Sequence, residues 1–127
     1  MELSELGIPE EGNMWELDQD TVMKIEHKGT RLIFGAIWKA MDASSRGRSQ
    51  MVAVDAPEIK GLVHKQVWWE SLRELEEMGV IKRWRSTGAM WTTVMVNPFV
   101  VRPWWMKGKE FDDAMESFRR GPADLRG

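Results

Sequence analysis

EIKGLVHKQVWWESLRELEEMGVIKRWRSTGAMWTTVMV, residues 58–96, is the stretch whose reading decides the fold of this chain. A short helix is broken at Gly61. A second helix, over 63–78, then places Val63, Val67 or Trp68, Leu72, Leu75 and Met78 on one face, the spacing of an amphipathic helix. Gly79 suits the residue just past a helix end, where a left-handed backbone is needed. Two β-prone runs follow, Val80–Trp84 and Trp91–Val96, and Arg85-Ser86-Thr87-Gly88-Ala89 reads as the loop between them. The order is helix, turn, helix, hairpin.

Working outward toward the N-terminus, Asp55 is the expected cap of the short helix, with Pro57 in its first turn. Residues 50–54, QMVAV, read as a strand, and 43–49 as a polar loop carrying Arg46 and Arg48. Over 29–42, Leu32, Ile33, Ala36, Ile37, Ala40 and Met41 recur at helical spacing, and Thr30 is the expected N-cap. Residues 13–26 are compatible with a short strand and turn or with a short helix after Asp20. Residues 1–12 are acidic, broken by Gly7, Pro9 and Gly12, and read as a flexible arm. Toward the C-terminus, Asn97-Pro98 ends the second strand. Gly108 precedes a helix at about 109–120 with Phe111, Ala114, Met115 and Phe118 at helical spacing, and 121–127 form a tail. The expected architecture is therefore α+β, a winged helix–turn–helix over 13–108 with a loose acidic arm over 1–12 and a C-terminal helix and tail over 109–127.

Composition narrows the function classes. The 127 residues suit one domain, and 43% hydrophobic content is enough for a core. The absence of Cys removes disulfides and thiolate metal sites. No apolar run reaches the length of a membrane span and the acidic start does not resemble a signal peptide, so a cytoplasmic protein is expected, nucleoid-associated when bound to DNA. Net charge is −2, but its distribution is uneven. Residues 1–59 hold six Lys or Arg against eleven Asp or Glu; residues 60–109 hold nine against four. A basic block within an acidic chain points to an anionic partner, with a chance distribution as the plain alternative.

The segment LRELEEMGVIKRWRSTGAMWTTVMVNPFVVRPWWMKG resembles the end of RepL-type plasmid replication initiators. Leu72, Leu75, Gly79, Ile81, Arg83, Met95, Asn97, Pro98, Lys107 and Gly108 carry the likeness, which spans about 29–108. Its helix-and-hairpin half is shared with MarR-like winged-helix regulators. The resemblance implies binding of a replication origin with no catalytic step of the chain's own.

The residues themselves supply a consistent chemistry. A recognition helix lays its N-terminal half in the major groove, where base edges present distinct donors and acceptors. His64, Lys65 and Gln66 stand at that end, with Trp69 and Arg73 further along; the plain alternative is a solvated helix face. Lys82, Arg83 and Arg85 flank the hairpin loop, where cations neutralise phosphate and add affinity with little sequence information. Trp68 is expected in the core. Trp104 and Trp105 with Phe111, Met115 and Phe118 form a candidate surface for a homodimer or another partner, with stacking on single-stranded bases as the sharper alternative.

An enzyme is not expected. His27 and His64 are far apart with no metal-ligand spacing, there is no Gly-rich phosphate loop, and Asp112-Asp113 with Glu116 reads as solvated charge near a helix start. No metal or cofactor is expected. Two functions follow: a sequence-specific double-stranded DNA-binding protein, serving as replication initiator or small transcriptional regulator of a plasmid or phage, or a winged-helix adaptor that docks on a host replication or transcription protein without touching DNA. The overall acidity, the acidic arm, and Trp69 and Glu70 on the groove-side face motivate the second.

Overall fold

The computed structural model describes residues 15–44 and 50–121. The acidic arm, the loop with Arg46 and Arg48, and the tail after Gly121 lie outside the described residues. The described chain is mixed α+β: β1 (Trp15–Leu17), α1 (Gln19–Val22), α2 (Lys28–Ser44), β2 (Met51–Ala53), α3 (Pro57–Lys60), α4 (Lys65–Glu77), β3 (Ile81–Thr87), β4 (Met90–Val96), β5 (Val101–Pro103) and α5 (Lys109–Arg120). Residues 13–26, left open between strand and helix, supply one of each.

The central sheet is antiparallel in the order β2–β4–β3, with Met51 opposite Met95 and Ile81 opposite Val96. α2 packs across α4 on one side of it. The side chains buried on α2 are those of Thr30, Ile33, Phe34, Ile37, Trp38 and Met41. That stripe is rotated by about one residue from the expected one: Leu32 is exposed, and the larger Phe34 and Trp38 go inside in its place. Burying the larger side chains removes more apolar area from water, which decides the helix's rotation. Trp68, Leu72 and Leu75 of α4 meet Trp91, Val94 and Val96 of β4 in the same core. Trp68 donates its indole N–H to the Val54 carbonyl at 3.0 Å, so a large ring is buried with its polar atom satisfied.

Three expected boundaries are corrected. α2 starts at Lys28, so Thr30 is inside the helix and turns its hydroxyl to α4 instead of capping. Ala56, in extended backbone, occupies the N-cap of α3 without a side-chain bond, and Asp55 does not cap. The hairpin loop is far shorter than Arg85–Ala89. β3 runs through Thr87, paired with Met90, and the turn is Gly88-Ala89 with Gly88 at φ +60°. The pairing up to that turn passes through a local irregularity. Trp84 and Thr92 each drop out of the pairing, on opposite strands, and the Thr92 hydroxyl donates to the Arg85 carbonyl at 2.6 Å. The pairing therefore resumes its original register at Ser86.

The flanking segments close on each other. β1 pairs antiparallel with β5, and in that pair Arg102 bonds Glu16 across the strands at 2.8 Å. Buried Gln50 donates to the carbonyls of Val96 and Val101, at 3.1 and 2.7 Å, and so joins the end of β4 to the start of β5. Asn97 ties the same corner to α4: its Nδ2 donates to the Gly79 carbonyl at 2.9 Å and its Oδ1 accepts from the Phe99 N–H at 3.0 Å. α5 is fastened by cations over rings. Lys82 Nζ lies 5.0 Å from the Phe118 ring centroid and donates to the Arg119 carbonyl at 2.9 Å, while the Arg102 guanidinium lies 4.9 Å from the Phe111 ring.

Candidate nucleic-acid interface

α4 is built to keep one face inside and the opposite face in water. Trp68, Ser71, Leu72 and Leu75 are buried. The exposed crest on the far side is formed by Gln66, Glu70, Arg73 and Glu77, four, three and four residues apart. The flank facing the β3–β4 hairpin carries Lys65, Trp69 and Glu76. The flank facing α2 carries Val67 and Glu74.

The expected groove residues fall into distinct environments. His64 is the N-cap of α4, its Nδ1 accepting from the Gln66 backbone N–H at 3.2 Å, which ends the helix with a ring at its first turn. Lys65 and Gln66 are exposed. The Gln66 amide donates to Glu70 Oε1 at 3.0 Å, one turn on. Arg73 is exposed on the crest. Trp69 is not a free groove residue: it is half-buried, edge-on to both Trp68 (5.9 Å) and Trp91 (6.5 Å).

The three hairpin cations also divide. Lys82 is engaged with α5, as described. Arg83 lies flat over the Trp91 ring, 4.0 Å from its centroid, with Nε 3.7 Å from Glu76. Both are half-buried and hold elements together, so neither is presented as an open phosphate contact. Arg85 is exposed, close to the hairpin tip. The sequence could not separate these roles, because the partners of Lys82 and Arg83 lie 37 and 7 or 8 residues away and alternation along β3 is interrupted at Trp84.

Between α4 and the start of α2 lies an open groove of about 670 Å³, lined in part by His27, Gly29, Thr30, Val67, Glu70 and Glu74. Its polar wall is a small network. His27 Nδ1 lies 2.9 Å from Glu74 Oε1, Thr30 donates to the other Glu74 oxygen, and Thr30 and Ser71 hydroxyls are 3.3 Å apart. The hydrogen bond and charge of Glu74 raise the His27 pKa above its ordinary 6.5, with Glu26 and Glu70 adding to the effect. Glu77 and Glu70 on the crest were legible as a repeat of the Gln66–Arg73 spacing, and together they make the exposed face of α4 more acidic than its N-terminal residues suggest.

The candidate partner surface is likewise divided. Trp104 is 50% exposed and Trp105, Phe111 and Met115 are half-buried, but Phe118 is buried beneath Lys82 and is corrected from surface to core. Phe99, 52% exposed, adds to the apolar surface of the same chain segment. Among the described residues no group of three or more His, Asp or Glu is placed to hold a metal ion, and no helix is long and apolar enough to cross a membrane. No protein-family model, curated protein or solved structure matches this chain.

Proposed function

We propose that this protein is a winged helix–turn–helix that binds double-stranded DNA, as a replication initiator or small transcriptional regulator. The observation that carries the reading is the element order α2–β2–α3–α4–β3–β4 with sheet order β2–β4–β3. In this arrangement α3 and α4 meet at a tight turn, α4 projects a solvent-exposed crest, and the β3–β4 hairpin extends beside it. α4 enters the major groove by its N-terminal half, with Lys65 and Gln66 foremost, and the hairpin tip brings Arg85 to the backbone. A second copy of the chain pairs through Trp104, Trp105, Phe111 and Met115, which gives a two-fold protein for a two-fold site.

The test is a fluorescence-anisotropy titration of labelled duplex DNA at low and at moderate salt. Binding near micromolar that weakens as salt rises supports the reading. Replacing Lys65 and Gln66 together by Ala should then remove the preference for a selected site; a variant that keeps its preference refutes the placement of α4.

One observation favours a second reading. Two of the four crest residues of α4 are carboxylates, and Lys82 and Arg83 are engaged within the fold. A protein–protein adaptor, docking a basic host replication or transcription protein on that crest, accounts for this. Absence of duplex binding even at low salt selects it over the first.

A further inference from the structure

Glu70 lies at the middle of the crest that the DNA-binding reading places in the major groove, and a carboxylate there costs affinity for any polyanion. The cost is recovered only at a base edge that offers a hydrogen-bond donor. In the major groove those donors are the amines of cytosine and adenine. The surroundings of Glu70 choose between them. Gln66 donates its Nε2 to Glu70 Oε1 at 3.0 Å, which holds the carboxylate on the crest while leaving it further lone pairs. Arg73, three residues on, is exposed on the same crest and carries a guanidinium. A guanidinium is complementary to the two acceptors on the guanine edge, and guanine is the partner of cytosine.

We infer that Glu70 is a further specificity-determining residue of α4, beside Lys65 and Gln66, and selects a G·C pair, accepting from the cytosine amine while Arg73 donates to the guanine edge. The inference rests on the duplex-DNA reading above. On it, the acidity of the crest is the means of discrimination: the carboxylate lowers affinity for sequences without a cytosine amine at that position and is compensated where one is present.

The experiment is selection of bound duplexes from a random pool by the full chain and by Glu70→Ala and Glu70→Gln, followed by titration of the wild-type site and of random duplex at one salt concentration. Glu70 is exposed, so all three proteins should fold alike, which melting curves check. The wild type should enrich a site with a fixed C·G position. Glu70→Ala should bind random duplex several-fold more tightly and the selected site less tightly, losing about tenfold or more in the ratio. Glu70→Gln should shift the selected base from cytosine toward adenine, because an amide pairs with the adenine edge. If Glu70→Ala tightens binding to both duplexes by the same factor, or the selected site has no cytosine that depends on Glu70, the inference is overturned while DNA binding stands. If the wild type binds no duplex at any salt, the DNA-binding reading fails and this one with it.

Discussion

Gly29 shows how a single atom sets the distance between two helices. A Cβ at that position would lie 2.5 Å from Val67 Cγ1, so α2 approaches α4 this closely only because the position carries no side chain. Val67 is β-branched and stiff, and cannot turn aside cheaply. Gly29→Ala should therefore destabilise the protein by about 1–3 kcal/mol in urea unfolding, despite the gain in helix propensity. His27 gives a pH signature at the same junction. Its folded pKa is raised, so the stability it adds is fully present below 6.5 and is lost as pH rises through the raised value. The difference in melting temperature between the wild type and His27→Ala should be small, largest below pH 6.5, and should close in alkaline buffer. A difference that grows with pH would mean that the His27–Glu74 contact is not the cause. Glycine at 29 and histidine at 27 were both visible in the sequence. Their partners, 38 and 47 residues on, were not, because nothing local marks a helix–helix contact.

Among the elements, α4 and the β3–β4 hairpin were the most legible. The helical spacing of Trp68, Leu72 and Leu75, and Gly79 at φ +78°, announce that α4 runs here and where it stops, although it starts at Lys65 behind the His64 cap, two residues later than the expected 63. The hairpin's two strands are legible in the β-prone runs, but its loop is not. Arg85, Ser86 and Thr87 look like loop residues, yet compensating irregularities at Trp84 and Thr92 let pairing continue to a two-residue turn. The same element separates the cations by role. Lys82→Ala and Arg83→Ala should lower thermal stability, because one loses its contacts to α5 and the other uncovers Trp91 beside Glu76. Each change should cost about 1–2 kcal/mol, read by chemical denaturation. Arg85→Ala, at an exposed side chain, should cost less stability than either. On the proposed function it should weaken binding to every duplex alike and reduce the salt slope by about one. If Arg85→Ala changed site preference instead, the hairpin tip would be reading bases.

For the whole molecule, the uneven charge along the chain overstated the cationic surface. Residues 60–109 hold nine Lys or Arg, but the fold assigns Lys82, Arg83 and Arg102 to rings, carbonyls and carboxylates. The cations that remain exposed beside the proposed groove surface are Lys65, Arg73 and Arg85. Three phosphate contacts per chain imply that the logarithm of affinity falls with the logarithm of salt concentration at a slope of about −3 per chain. A slope twice as steep in a protein shown to be monomeric would mean that cations beyond these three take part. The joining of the two ends of the domain was not foreseen at all. β1 and β5 are three residues each, too short to show periodicity, and their pairing spans more than eighty residues.

Local pattern was sufficient for the order of helices and strands from α2 to β4 and for α5, for the stop at Gly79 and for a core containing Trp68, Leu72 and Leu75, because those features depend on neighbours within one or two turns. The rotation of α2, the use of Lys82 to fasten α5, and the half-burial of Trp69 against Trp91 depend on which elements meet in space. Those are long-range packing choices, in which the burial of the largest rings outweighs the charge of any one side chain, and no window along the chain contains both partners.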